Sequence, residues 1–253
     1  MSFPVAIQLY SARNFPPLSA QLPAIQAMGY DAVEPWLPAY EADPKEFARM
    51  VSDAGLACHG FHMPLAGLRD EPARFIDIAL SLGATFLIPP WLAPEERGTT
   101  ASDWQRLSEV LQKGHEAAAA HGLEVLWHNH DFEYVPLPDG TRPIDHILQG
   151  DVGFEIDCGW ITRAGADPAA ELVRYADRIR VIQTKDVAPA GTVTEGGWAA
   201  TGHGVIDWAR LAPLFRRTRA HHLCTEHDDP ADWQAFARHS LDHLRSLGLQ
   251  GAG

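Results

Sequence analysis

The segment Trp127-His128-Asn129-His130-Asp131-Phe132-Glu133 holds the densest chemistry in the chain. If it closes a β-strand, side chains alternate, so His128 and His130 share one face and Trp127 and Asn129 the other. Two imidazoles on one face suit a divalent transition metal, or proton transfer near neutral pH. Asp157 and Glu226 close two other β-rich runs and supply carboxylates. A set of one histidine and two carboxylates suits Mn, Co, Fe or Zn better than calcium, which prefers oxygen alone. The remaining runs also end on residues that dislike burial: Gln8, Glu34, His62, Gln183 with Lys185, and His227 beside Glu226. Singly, each has a structural explanation, since Glu34 could pair with an arginine and a lone histidine is often a hydrogen-bonded core residue. Together they would bury several carboxylates, which is costly unless cations or a metal compensate.

The elements that must position these residues alternate along the whole chain. Strands are expected near 5–10, 31–35, 57–62, 84–89, 123–128, 152–157, 178–184 and 221–226. Helices are expected near 18–28, 44–54, 71–82, 101–121, 141–149, 167–176, 206–218 and 230–247. Asp43-Pro44 and Asp167-Pro168 each pair an N-cap residue with a proline suited to the first helical position. Eight strand–helix units in succession predict an α/β fold, a closed parallel (β/α)₈ barrel formed by residues 1–253 as one domain. No Gly-rich phosphate fingerprint follows the first strand, which argues against a dinucleotide-binding sheet. A barrel of this kind keeps its chemistry at the C-terminal ends of the strands, where all the polar residues above fall. Two long connections, 131–140 and 186–205, would rise over that face as binding loops. Trp91, Trp160 and Trp198 lie near strand ends or in these loops and could supply apolar walls for a bound ring.

Composition narrows the class. Of 253 residues, 46% are hydrophobic and 21% charged, enough for a full core. A formal charge of -13 would repel a phosphate backbone, so no nucleic-acid partner is expected. That charge also argues against an endonuclease IV-like repair enzyme. No apolar run is long enough to span a bilayer, and the start MSFPVAIQLYSAR lacks a basic n-region, so neither membrane nor export is expected. Cys58, Cys158 and Cys224 are far apart, odd in number and set in apolar runs, which suits free thiols in the cytoplasm. A homodimer would be the commonest assembly.

The motifs QLYSAR, YDAVEP, FHMP, WHNHDFEY, FEIDCGWITRAGADP, QTKD, GHGVIDW and TEHDD, taken together, resemble the sugar phosphate isomerase/epimerase family of the xylose-isomerase-like TIM-barrel superfamily. The likeness runs over almost the whole chain. It implies one divalent cation (Mn, Co, Zn, Fe or Mg) held by a Glu, an Asp, a His and a Glu on strands five to eight. The implied reaction moves a proton next to a ketose carbonyl through a metal-stabilised enolate. Carried over by position, the ligands here are His128, Asp157, Gln183 and Glu226. Two match and two differ, and the neutral amide of Gln183 would weaken the cation's hold.

The roles implied are Glu226 as general base, His128 as ligand or acid, and Lys185 as the cation facing an enolate oxygen. Gln8, Glu34, His62, His130 and Trp160 would contact substrate. The expected activity is a sugar or polyol isomerase or epimerase. The HNHDFE and D-x-G-W runs resemble a branch with inosose dehydratase-like and keto-glycoside-processing relatives, so a dehydratase or lyase is the alternative. In that alternative an imidazolium could protonate a leaving hydroxyl near pH 7. A non-catalytic sugar-binding barrel is the third reading.

Overall fold

The computed structural model describes residues 2–250. Eight parallel strands form its centre: β1 Val5–Gln8, β2 Ala32–Glu34, β3 Gly60–His62, β4 Phe86–Ile88, β5 Glu124–His128, β6 Gly153–Asp157, β7 Ile179–Gln183 and β10 His222–Thr225. Their order in the sheet is β2-β1-β10-β7-β6-β5-β4-β3. The two ends meet through a parallel bridge between Ala32 and Ala57, where Val33 N–H donates to Ala57 O at 2.9 Å. The ring is thus a nearly closed barrel with helices between its strands, as the alternation predicts. Each expected strand and each of the eight expected helices contains an observed one, with ends shifted by a few residues.

The barrel forms because every strand carries an apolar outer row and most carry an apolar inner one. One row, with Val33, Phe61, Val125, Trp127 and Ile182, packs outward beneath the helices in the larger hydrophobic cluster. The other, with Ala6, Ala32, Phe86, Leu126, Val181 and Cys224, fills the barrel axis as a smaller cluster. Helix Pro44–Asp53 starts where the Asp43 side chain accepts from Glu46 N–H at 3.0 Å, and helix Pro168–Arg174 starts likewise on Asp167. The three cysteines are buried and unbonded. Among the described residues, no helix is long and apolar enough to cross a membrane.

Several short elements fall where the pattern predicts none, among them the following. The first strand stops at Gln8 and turns into a 3₁₀ helix, Leu9–Ala12. A short helix, Leu65–Asp70, follows the third strand, and another, Cys158–Arg163, begins directly after the sixth. The connection 186–205 holds a small antiparallel ribbon, β8 Asp186–Val187 against β9 Trp198–Ala199. No amphipathic period marks that ribbon, because one buried side chain ties it down. The Asp186 carboxylate accepts from the N–H groups of Val187, Gly202, Gly204 and Ile206 and from Trp208 Nε1, at 2.7–3.2 Å. At Gly204 a Cβ would lie 2.3 Å from Asp186 Oδ1, so only glycine allows that approach.

Candidate active site and metal-ligand cluster

Side chains alternate along each strand, so residues two apart share the barrel interior. On β5 these are Leu126 and His128, with His130 just beyond; on β6, Glu155 and Asp157; on β10, His222 and Cys224, with Glu226 just beyond. The result is two stacked polar layers under one open face.

The lower layer is closed except at His62, which reaches the cavity. Gln8 Nε2 donates to Glu34 Oε1 at 2.9 Å, and Gln8 Oε1 accepts from Tyr10 N–H at 3.2 Å. His62 Nε2 lies 2.9 Å from Glu155 Oε2 and 3.1 Å from Glu34 Oε1. Burial opposes a charge on His62, but Glu155 and Glu34 outweigh it and raise its pKa to about 10, so it is an imidazolium. Burial also opposes charge on Glu34, yet His222 and His62 overcome it and hold the carboxyl well below the usual range. Burial, with the charge of Glu34 added, lifts Glu155 to about 7. This layer corrects one expectation. Gln8 and Glu34 are fully buried, bond each other and do not line the cavity.

The upper layer is open. Asn129 ties the ends of β5 and β6 together, accepting from Asp157 N–H at 2.9 Å and donating to Asp157 O at 3.3 Å. Glu133 accepts from Trp127 Nε1 at 3.0 Å and from His130 N–H at 2.9 Å, and burial raises its carboxyl to about 8. These bonds fix the turn after β5, so the rings of His128 and His130 sit 5.0 Å apart on the cavity side. Asp157 Oδ1 caps helix Cys158–Arg163 by accepting from Trp160 N–H at 2.9 Å. Lys185 is buried in ion pairs, touching Asp228 and lying 3.7 Å from Glu226 Oε2. Its ammonium also lies over the Trp198 and Trp160 rings, at 4.4 and 5.0 Å.

Burial and neighbouring charge set the protonation states here. Burial raises Glu226 to about 7, Lys185 opposing and Asp228 adding. Burial likewise lifts Asp157 well above the usual carboxylate range, with Lys185 opposing. Burial would lower Lys185, but Glu226, Asp228 and Asp157 outweigh it and keep the ammonium charged. Burial lowers His128 and His130 well below the usual histidine value, and nearby cationic groups, Lys185 among them, push the same way. Burial thus favours the neutral form of both imidazoles, which works against the imidazolium acid expected from sequence.

Several of the buried atoms that lack a hydrogen-bond partner gather at one place and fit a cation site. His128 Nδ1, Asp157 Oδ2, Glu226 Oε2 and both amide atoms of Gln183 are buried without a hydrogen-bond partner. His128, Asp157 and Glu226 each offer a ligand atom within 4.8 Å of the others. Gln183 pairs in register with Asp157, so its side chain shares that interior face. A neutral imidazole, two carboxylates and an amide oxygen fit a divalent cation. A second cluster, His62 with His128 and Glu155, also meets the distance condition. Its His62 is already held between two carboxylates, which leaves the His128–Asp157–Glu226 set as the better fit.

Above these residues opens a cavity of about 640 Å³ lined by His62, His128, His130, Trp160, Lys185 and Glu226 among others. Asp157 and Gln183 lie just below this lining. Trp91 also lines it, whereas Trp198 acts from behind, edge-on to Trp160 with ring centroids 4.6 Å apart. Sequence reasoning from strand ends misses Glu155, Asp228 and Glu133. Glu155 was detectable, because a glutamate two residues before Asp157 must share its face. Asp228 stands in the TEHDD run, but nothing in that run tells which acid turns inward.

Residues 22–247 match the family model described as Xylose isomerase-like TIM barrel. An inosose dehydratase from Geobacillus kaustophilus is 29% identical over 160 residues, 55% of this chain and 50% of that protein. The chain therefore spans about half the length of the curated relatives it matches. Among solved structures, a sugar phosphate isomerase/epimerase from Parabacteroides distasonis superposes with a TM-score of 0.81 at 17% identity, covering 99% of this chain and 96% of that one. The IOLI protein with a bound zinc atom gives 0.74 at 16% identity, covering 99% and 100%. At these identities the superpositions speak to the fold alone.

Proposed function

We propose, from the premise that the chain belongs to the xylose isomerase-like TIM-barrel family, that it is a lyase removing water from a keto-inositol or similar keto-sugar. The observation that carries this reading is the asymmetry of proton donors around the cavity. Glu226 lines the cavity as its acid–base carboxyl, and the groups that β5 brings to the same lining, His128 and His130, are imidazoles in place of a second carboxylate. Epimerisation needs a second group to return a proton to the opposite face of the carbon, and a neutral imidazole donates poorly. Elimination needs one group only. The part matches to inosose dehydratases favour the same choice over the isomerase or epimerase expected from sequence.

In this reading His128, Asp157 and Glu226, with the Gln183 amide oxygen, would hold a divalent cation. Zinc, present in the IOLI protein, is one candidate. When bound, such a cation polarises the substrate carbonyl and acidifies the adjacent C–H. Glu226 lies at the cavity lining and accepts that proton. The Lys185 ammonium, held by Asp228, offsets negative charge developing on oxygen. Glu226 then returns the proton to the departing β-hydroxyl, which leaves as water. His62 and His130 line the cavity and orient hydroxyls, and Trp160 supplies an apolar wall.

Incubation of the metal-loaded protein with a keto-inositol in deuterated water tests the reading. Loss of one water, with a conjugated carbonyl absorbing in the ultraviolet, is expected. An epimer carrying solvent deuterium, with no water lost, would return the assignment to isomerase or epimerase.

A further inference from the structure

The cavity is larger and more apolar than a lone polyol requires. A six-carbon keto-sugar has about twelve heavy atoms, and even at the roughly 30 Å³ a water molecule occupies in the liquid it fills about 360 Å³. The cavity holds about 640 Å³. The apolar part of the lining is Tyr10, Trp36, Leu37, Met63, Leu65 and Trp91, none of them a member of the acidic cluster. Tyr10 and Trp36 meet edge to face with ring centroids 6.1 Å apart, and the Arg13 guanidinium stacks on Tyr10 at 3.9 Å. Trp91 keeps 48% of its surface exposed yet is held by His130, Phe132 and the Arg97 guanidinium. An exposed aromatic fixed by its neighbours is a preorganised contact surface.

Charge separates the two obvious occupants of this wing. A phosphate would need a free cation, but the lining cations Arg69 and Lys185 are paired with Asp70 and Asp228, Arg13 lies 3.7 Å from Asp229, and Arg97 is stacked on Trp91 and Phe132 and donates to Leu92 O. The lining also carries the carboxyl groups of Glu96, Glu226 and Asp228. Resting on the keto-sugar reading above, we infer that the substrate is a two-part molecule. Its sugar head lies against His128, Lys185 and Glu226, and an uncharged aromatic substituent fills the wing between Trp36, Leu65 and Trp91.

Calorimetric titration of the metal-loaded protein with phenyl β-glucoside, methyl β-glucoside and glucose 6-phosphate tests the inference without requiring turnover. Phenyl β-glucoside should bind at least about tenfold tighter than the methyl compound, equivalent to roughly 1.4 kcal/mol. Trp36→Ala and Leu65→Ser, made separately at half-buried rim positions, should each reduce that ratio and leave methyl β-glucoside affinity unchanged. A ratio near one, a ratio indifferent to both variants, tightest binding of the phosphate, or no binding of either glucoside overturns the inference. Dehydration of a keto-inositol is measured in parallel. If it fails while the phenyl preference holds, the reaction assignment falls and the substrate inference stands; the reverse pattern keeps the reaction and removes the substituent.

Discussion

Cation binding should release protons, and their number at each pH tests the ligand set directly. In the metal-free protein burial holds Glu226 at about 7 and Asp157 well above the usual carboxylate range, while His128 is neutral. A cation needs both carboxylates ionised, so affinity falls as pH falls. At about pH 6 roughly nine-tenths of Glu226 carries its proton, and at about pH 8 roughly one-tenth, which alone changes affinity about tenfold. Asp157 adds a further dependence of the same sign, so about one to two protons should leave per cation at the lower pH.

The metal-free fold has a matching signature. Glu226, raised from 4.5 to about 7, binds its proton more tightly folded than unfolded. The stability this contributes is fully present below the unfolded value and is lost as pH rises through about 7. The gap, 7 minus 4.5, at about 1.36 kcal/mol per pH unit is on the order of 3 kcal/mol. Glu226→Gln cannot ionise and should lack that part of the fall. Calorimetry in buffers of different ionisation enthalpy counts the protons, and melting curves across pH compare the two proteins. Zero protons released at about pH 6, together with identical pH slopes for wild type and Glu226→Gln, would refute the ligand assignment.

Other substitutions probe separate parts of the site. Gln183→His replaces an amide oxygen by a better donor at a position the strand already fixes. It should bind Zn or Mn about tenfold tighter, and the extra 1.4 kcal/mol or so should raise the metal-saturated melting temperature by roughly 3–6 °C; equal affinity in matched titrations would mean the side chain does not reach the cation. Asp157→Ala should abolish metal retention with the circular dichroism of the barrel intact, and unchanged metal content after dialysis would count against it. Glu226→Gln should reduce dehydration by about 10²–10⁴-fold, the usual range for a positioned acid–base group, and turnover near wild type would remove Glu226 as the base. Asp186→Ala strands five donors at once and should destabilise by on the order of 3–5 kcal/mol in urea unfolding; a loss below about 1 kcal/mol would show that other contacts hold the ribbon.

The barrel was legible because its signals are repetitive: apolar runs of strand length, separated by helical periods and punctuated by Asp-Pro and glycine. The upper site layer was legible for a related reason, since His128, Asp157 and Glu226 are polar residues where an apolar run ends. The lower layer was not. Glu155 sits mid-strand, and Gln8 and Glu34 look like substrate contacts until the register joins them through an amide–carboxylate bond. Protonation was equally hidden, because the neutrality of His128 depends on burial and on the charges of His62 and Lys185, which come from distant strands. The β8–β9 ribbon escaped notice because a hydrogen-bonded carboxylate, and no hydrophobic period, sets its course.

That carboxylate also bears on how the protein can diverge. Asp186 anchors both ends of the connection, and Trp198 hangs from the anchored part beside Lys185. Residues 189–194 at its apex are exposed, Val193 by 88%. Insertions and substitutions there can accumulate over generations without moving the tryptophan that backs the site. The apex is therefore the part of this connection where new rim contacts could be built at little cost, whereas a change at Asp186, Gly204 or Trp208 would release the anchor itself.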